Sequence, residues 1–180
     1  MQKITPFLWF DGQAEEAAPF YVSLFSNSQI KQVLRYGEAG QEQHGQAPGT
    51  VMTVAFELDG QAFTAINGGP VFKFDESVSF VVDCATQDEF DYHWDRLGEV
   101  GDPAARQCGW LTDRYGLSWQ VVPRQLIELL SDRDPETAGR VMQAMLSMKK
   151  FEIAALERAL LLARTAACAK SETTSDNKLG

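Results

Sequence analysis

A chain of 180 residues, of which 44% are hydrophobic and 23% charged, can bury one sizeable core but is short for two ordinary domains. Its formal net charge of -9 repels phosphate backbones and therefore disfavours a nucleic-acid partner. The cysteines Cys84, Cys108 and Cys168 form no CxxC pair, which argues against a disulfide framework or a thiolate zinc site and is typical of a reducing cytoplasm. No stretch is apolar for the length of a membrane span, and the first residues lack the layout of a signal peptide, so we expect no membrane association.

The first third of the chain contains one strand-and-helix pattern. Residues 4–10 form an apolar run that predicts a strand, and the polar turn after it leads into a helix whose first turn carries an acidic pair. A second strand is predicted at residues 29–36, followed by a glycine- and glutamine-rich loop. A hairpin of residues 51–56 and 61–66 comes next. These elements predict a βαβββ module, module one, over residues 1–70.

The same pattern occurs a second time, which indicates an internal repeat. Residues 81–89 repeat the strand, polar turn and acidic pair, and residues 107–122 repeat the hairpin. The stretch 99–103 is much shorter than the part of module one that it replaces. We therefore predict a second βαβββ module, module two, over residues 77–123, so that the paired modules occupy residues 1–123.

Beyond the repeat, the spacing of apolar residues becomes helical, which predicts a C-terminal helical extension of the same domain over residues 124–168. Asp134, Pro135 and Glu136 have the order of a helix start, with an N-cap, a proline at the first helical position and an acid in the first turn. The final residues, 169–180, are polar and are predicted to be disordered.

Two segments resemble PhnB-like proteins of the vicinal-oxygen-chelate superfamily, which includes glyoxalases, bleomycin-resistance proteins and dioxygenases. They are residues 7–17, FLWFDGQAEEA, and residues 107–123, QCGWLTDRYGLSWQVVP. The resemblance extends from about residue 3 to about residue 150. It implies an α+β fold in which two βαβββ modules form an eight-stranded mixed sheet cupped around a cavity, followed by C-terminal helices. It also implies a homodimer.

Members of this group often carry the label 3-demethylubiquinone-9 3-methyltransferase. A methyltransferase of the usual kind binds its sulfonium cofactor at a glycine-rich turn from strand to helix in a doubly wound sheet. The glycines of this chain fall in hairpins and loops instead. The sequence therefore disfavours that reaction, and we predict no cofactor.

The hairpin turns determine which side chains share a face of the sheet. Both turns favour a type I turn followed by a left-handed glycine, Gly60 or Gly116, in a bulge. In module two this register places Cys108, Trp110, Thr112, Ser118, Gln120 and Val122 on one face. In module one it places Met52, Val54, Phe56, Ala62, Thr64 and Ile66 on the equivalent face. A shift of one residue would reverse either set.

The residues at the expected ligand positions do not predict a metal site. Metal-dependent members of the superfamily carry a glutamate ligand four residues after the hairpin glycine. In this chain that position holds Gln120 in module two and Thr64 in module one. The two histidines fall elsewhere, His44 in a loop and His93 on a helix. Because four strong ligands cannot be assembled from these residues, we predict no metal.

The predicted ligand-binding residues combine small polar side chains with one aromatic ring, as expected of a ligand pocket. They are Thr64, Ser79, Cys108, Trp110, Ser118 and Gln120. The structural alternatives are that Cys108 is a small buried apolar residue, that the polar groups bind one another, and that the ring belongs to the core. Asp113 fits the first position of a turn, where its side chain would bind the turn backbone.

We therefore predict a protein that binds an unknown small molecule in an apolar cavity between or within the modules, without a strong metal site. The sequence identifies no catalytic residue. The alternative is an enzyme with a weak or absent metal that uses Gln120 and Cys108, and a protein-interaction module acting through the helical extension is a third hypothesis. A homodimer in the cytoplasm, with neither nucleic acid nor membrane as a partner, is the expected form.

Overall fold

The computed structural model describes the backbone of residues 3–176 and the side chains of residues 3–165. Contacts within the chain divide it into two compact units, Met1–Asp75 and Glu76–Gly180, which we call unit one and unit two. In each unit helices pack against a sheet, so the predicted α+β class is confirmed. None of the helices among these residues is both long and apolar enough to cross a bilayer.

Unit one has the predicted order of strand, helix and three further strands. Its elements are β1 (Phe7–Phe10), α1 (Ala14–Leu24), β2 (Gln29–Arg35), α2 (Gln41–His44), β3 (Val51–Leu58) and β4 (Gln61–Asn67). The strands form one sheet in the order β1-β4-β3-β2, in which only β1 and β4 are parallel. Tyr21 of α1 stacks on Phe56 of β3 and both are buried, so α1 covers one face of the sheet.

The start of α1 is held by a side chain at the end of β4. The N–H of Ala14 donates to Asn67 Oδ1 at 2.8 Å, and Asn67 Nδ2 donates to the carbonyl of Val51 at 3.0 Å. Asn67 is 3% exposed, so both halves of its amide are satisfied inside the protein. The acidic pair Glu15 and Glu16 follows in the first turn of the helix, as predicted.

The hairpin of unit one differs from the predicted register. Leu58 pairs with Gln61, so the loop consists of Asp59 and Gly60 alone, and their φ angles are 45° and 77°. Two positive φ angles are typical of a type I′ turn, for which Asp-Gly is a favoured pair. The prediction of a type I turn with a bulge is therefore wrong at this position.

This register also corrects the predicted shared face of module one. The prediction combined Met52, Val54 and Phe56 of β3 with Ala62, Thr64 and Ile66 of β4. In the structure Val54 pairs with Ala65 and Phe56 with Phe63, and these four side chains are buried on the face that α1 covers. Thr64 pairs with Ala55 and lies half-buried on the opposite face.

Unit two contains a shorter sheet and most of the helices. Its elements are β5 (Ser79–Cys84), α3 (Gln87–Gly98), a 3₁₀ turn (Pro103–Ala105), β6 (Trp110–Thr112), β7 (Ser118–Pro123), α4 (Gln125–Leu130), α5 (Pro135–Leu146) and α6 (Ile153–Asp176). The strand order is β5-β7-β6, with β5 parallel and β6 antiparallel to β7. Thr86 caps α3 by accepting from the N–H of Glu89 at 3.2 Å.

The predicted single sheet of eight strands is not confirmed, because the described residues form seven strands in two sheets of four and three. The 3₁₀ turn stands where module one has its second strand. Pro103 has no N–H to contribute to a ladder, and the Asp102 side chain accepts from the N–H of Ala104 at 2.8 Å. These local bonds favour a turn over a strand in this short segment.

The hairpin of unit two has the predicted register. Trp110 pairs with Gln120, Leu111 with Trp119, and Thr112 with Ser118. The N–H of Asp113 donates to the carbonyl of Leu117 at 3.0 Å, and Gly116 has a φ of 83°. A left-handed glycine therefore closes this turn, as predicted.

The C-terminal helices belong to unit two, and α5 begins where predicted. The Asp134 side chain accepts from the N–H of Thr137 at 3.0 Å and from that of Glu136 at 3.4 Å. The last helix, α6, continues to Asp176 and so enters the segment 169–180 that we predicted to be disordered. Residues 177–180 of that segment lie outside the described part of the chain.

The segment between α5 and α6 binds the chain that leads into β6. The N–H groups of Cys108 and Gly109 donate to the carbonyls of Met148 and Lys149, each at 3.0 Å. Phe151 follows directly and is 1% exposed. The C-terminal extension is therefore bonded to module two through the residues that precede its hairpin.

Candidate functional site

A pocket of ≈ 440 Å³ lies within unit two, along β6 and the segment before it. Three of the predicted ligand-binding residues line it, namely Cys108, Trp110 and Ser118. Thr112 adds a second hydroxyl group, and Glu76, an exposed residue, is the one charged residue that the described part of the chain contributes to the lining. The volume is that of a site for a small organic molecule.

Side chains on this face of the sheet form two rows across the strands. They are Thr112, Ser118 and Ser79 in the first row and Trp110, Gln120 and Val81 in the second. Gln120 Nε2 donates to Ser79 Oγ at 2.9 Å and so joins the rows. The structure thus brings four of the predicted residues together on one face, because the hairpin has the predicted register.

Cys108 reaches the pocket in a different way from the one predicted. Cys108 precedes β6, and its φ of 49° is not that of a strand. The alternation of side chains between the two faces of a strand therefore does not determine where the Cys108 side chain lies. Its Sγ lies 3.7 Å from the carbonyl oxygen of Met145 and 3.9 Å from that of Leu146. The thiol is thus directed at the C-terminal end of α5 while the residue remains part of the pocket wall.

Thr64 is not part of this pocket. It lies in unit one, where it pairs with Phe7 of β1 on one side and with Ala55 of β3 on the other. Its place on the half-exposed face of that sheet is what the structure establishes. Its role in ligand binding stays a prediction.

The residues present do not fit a divalent metal ion. Among the described residues, no group of three or more His, Cys, Asp or Glu side chains is arranged to hold one. Besides the Glu76 carboxylate, the face offers hydroxyl, amide and thiol groups, and the amide nitrogen of Gln120 is bound to Ser79. A divalent ion needs more charged or imidazole ligands than this set supplies.

Neither of the two histidines is among the residues that line the pocket. His44 belongs to α2 in unit one, where its ring stacks on Tyr36 with centroids 4.5 Å apart. His93 lies on α3 and is 7% exposed. Burial lowers the pKa of His93 from its ordinary value of 6.5, and the nearby charge of Glu89 opposes part of that shift.

A second hollow, of ≈ 560 Å³, lies at the start of α3 and α6 and was not anticipated from the sequence. Gln87 lines this hollow, and its side chain donates to the carbonyl of Phe151 at 3.0 Å and accepts from the N–H of Ile153 at 2.9 Å. Lys150 forms ion pairs with Asp91 at 3.0 Å and Asp95 at 3.1 Å. These contacts join α3 to α6, so we interpret the hollow as a junction between helices.

Two repeats of a strand, a helix and a hairpin, with a ligand-sized pocket along the second sheet, define a protein of the vicinal-oxygen-chelate, or glyoxalase, fold. A family model described as 3-demethylubiquinone-9 3-methyltransferase matches residues 2–122, so the chain belongs to that family, whose members include PhnB proteins. The resemblance inferred from the two sequence motifs is confirmed.

Two solved structures support this assignment, one at the level of the family and the other at the level of the fold. A PhnB protein from Bacillus cereus has 39% sequence identity and a TM-score of 0.58, and the match covers 68% of this chain and 99% of that one. Protein PA1353 from Pseudomonas aeruginosa has 21% identity and a TM-score of 0.53, with 68% and 98% covered, and shows the fold alone. A comparison with curated proteins finds no match.

The methyltransferase description does not fit the residues of the chain. In the described sheets the parallel pairs, β1 with β4 and β5 with β7, occur beside antiparallel neighbours. A sulfonium cofactor of the usual kind is held in a doubly wound parallel sheet by a glycine-rich turn after a strand. The turn between β1 and α1 contains only one glycine, Gly12.

Proposed function

We propose that this protein binds a small organic molecule in the pocket of unit two and does so without a strong metal site. The observation that carries the proposal is the pocket itself, which has a volume of ≈ 440 Å³ and is built from residues of one unit. Its wall combines apolar surface with a few polar groups that can orient a ligand. This combination is typical of small-molecule sites.

The alternative, an enzyme that uses Gln120 and Cys108, has weaker support. A nucleophilic thiol needs a base or a positive charge beside it. The Cys108 Sγ lies 3.7 and 3.9 Å from two backbone carbonyls and accepts a hydrogen bond from Gln107 Nε2 at 3.5 Å. These neighbours include neither a base that can take up the proton nor a positive charge. Binding without turnover is therefore the function that the geometry favours.

Native mass spectrometry of the gently purified full-length chain tests the proposal. We expect a mass of 20.0 kDa per chain plus a small organic molecule, and we propose a homodimer as the assembly that carries it. Trp110→Leu should lose the bound mass and remain folded, while Trp9→Leu, in unit one, should keep the ligand. A bound mass that persists in Trp110→Leu would show that the ligand binds elsewhere. A bound divalent ion instead of an organic molecule would favour the hypothesis of a metal-dependent enzyme.

A further inference from the structure

The charges of the pocket restrict the kind of ligand that it accepts. Among the residues that the structure describes, Glu76 is the one charged residue of the lining, and no Lys, Arg or His contributes to it. An anionic ligand would lose its water without gaining a partner of opposite charge, which is costly. A cation gains little from Glu76, because that carboxylate is exposed and its field is screened by solvent.

The ring of Trp110 is available to a ligand. Trp9 Nε1 donates to the carbonyl of Gly69 at 2.8 Å, and Trp119 Nε1 donates to Asp113 Oδ2 at 2.9 Å. The side chain of Trp110 has no hydrogen bond and no ring contact with any residue that the structure describes, although it is half-buried. Large aromatic side chains of that kind gain most when another planar group covers them.

The amide of Gln120, which pairs with Trp110 across the hairpin and adjoins the pocket lining without being part of it, is oriented to accept a hydrogen bond. Gln120 uses its amide nitrogen to donate to Ser79 Oγ, which fixes the orientation of the amide. Its Oε1 atom has no donor among the described residues. An acceptor in a half-buried position is satisfied by a ligand that carries an O–H or N–H group.

From these three observations we propose that the ligand is an uncharged planar aromatic molecule with a hydrogen-bond donor such as a hydroxyl group. The inference rests on the proposed function and deepens it by naming the chemical class. The ring covers Trp110, and the donor binds Gln120 Oε1 beside the hydroxyl row of Ser79, Ser118 and Thr112.

Four naphthalene probes that differ only in one substituent test this proposal with the full-length protein. They are 2-naphthol, 2-methylnaphthalene, 2-naphthoate and 2-naphthylmethylammonium, followed by the anisotropy of their own fluorescence at neutral pH. We expect 2-naphthol to bind tightest, about fivefold tighter than 2-methylnaphthalene, as one neutral hydrogen bond allows. The charged probes should bind at least about tenfold more weakly than 2-naphthol.

Variants assign the effect to named atoms. Gln120→Leu should reduce the affinity for 2-naphthol to that for 2-methylnaphthalene and leave the latter unchanged, whereas Trp110→Leu should weaken both. Ser23→Ala, which removes an exposed hydroxyl group from α1 of unit one, is the matched control and should change neither. Thermal melting of each variant verifies its fold.

The outcomes separate this inference from the proposed function. Tightest binding of either charged probe, or a preference for 2-naphthol that survives Gln120→Leu, overturns the inference. If none of the probes binds while native mass spectra show an organic ligand that Trp110→Leu removes, the inference fails and the proposed function holds. If no organic ligand is found by either method, both fail.

Discussion

The indole N–H of Trp119 donates a 2.9 Å hydrogen bond to Asp113 Oδ2, across the hairpin that closes the second sheet. The other oxygen of the same carboxylate accepts from the N–H groups of Tyr115 and Leu117, at 2.8 and 3.1 Å. Asp113 is 2% exposed. This carboxylate therefore holds the turn closed and holds the indole against it, which accounts for Asp and Trp in the motif that identifies the family without assigning either a catalytic role.

Replacing Asp113 should destabilise the protein through the hairpin of unit two. Asp113→Ala leaves the Trp119 indole and two backbone N–H groups without their acceptor, and we expect a loss of about 2–4 kcal/mol in the free energy of unfolding. Urea denaturation measures this loss. Asp59→Asn, in the exposed turn of the other hairpin, is the control and should cost little, since asparagine tolerates its positive φ. Equal losses in both variants would contradict the role assigned to Asp113.

The two described cysteines should differ strongly in reactivity. Burial, aided by the charges of Glu89 and Asp83, raises the pKa of Cys84 to about 12, so almost none of it is thiolate near neutral pH. Cys108 is half-buried in the wall of the pocket. Iodoacetamide labelling of a Cys168→Ser variant, followed by peptide mass spectrometry, should modify Cys108 first. Faster modification of Cys84 would contradict its buried position.

His93 should make the protein less stable as the pH falls. Burial lowers the pKa of this histidine below 6.5 in the folded state, whereas the unfolded chain keeps the ordinary value. The unfolded state therefore binds the proton more readily than the folded state does. The neutral His93 side chain contributes its full stabilisation above about pH 6.5, and this stabilisation is lost as the pH falls towards the pKa that His93 has in the folded protein. The unfolding free energies of the protein and of His93→Gln should converge between about pH 7 and pH 5. If the difference between the two unfolding free energies did not change with pH, protonation of His93 would not contribute to the pH dependence of stability.

The two hairpins show what the sequence could and could not predict. Arg114 and Tyr115 disfavour a turn with two left-handed residues, and the register that follows placed Trp110 and Gln120 on one face correctly. At the first hairpin, the Asp59-Gly60 pair favours a type I′ turn. The prediction assigned the same turn type to both hairpins, so its register for β4 against β3 was wrong and it placed Thr64 on the wrong face.

The position of Cys108 depends on hydrogen bonds that no local sequence pattern contains. The N–H of Cys108 donates to the carbonyl of Met148, forty residues further along the chain. Periodicity predicts that an element exists and which face it buries, but not which distant carbonyl completes its hydrogen bonds. The pocket wall has two parts. The face formed by β6 and β7 follows from the local pattern and was predicted from the sequence, whereas the segment bonded to the C-terminal extension was not.

That dependence gives the last prediction, because the extension lies beyond the family match at residues 2–122. A Cβ atom at Gly109 would lie 2.7 Å from the carbonyl oxygen of Val121 and 2.5 Å from the ring of Phe151, so the ring packs directly on the backbone at Gly109. Phe151→Ala should cost about 3–5 kcal/mol of unfolding free energy. It should also loosen the bonds from Cys108 and Gly109 to residues 148 and 149.

Amide hydrogen exchange at neutral pH separates these two effects. We expect faster exchange of the Cys108 and Gly109 amides in Phe151→Ala, while the amides of β3 and β4 in unit one keep their rates. Leu161→Ala removes a side chain that is 63% exposed on α6 and should leave all these rates unchanged. If the Cys108 and Gly109 amides stay protected in Phe151→Ala, the wall of the pocket is held by β7 alone, through the bond from the Val121 N–H to the Gly109 carbonyl at 2.8 Å. If they exchange faster, the C-terminal extension is a structural part of the ligand site.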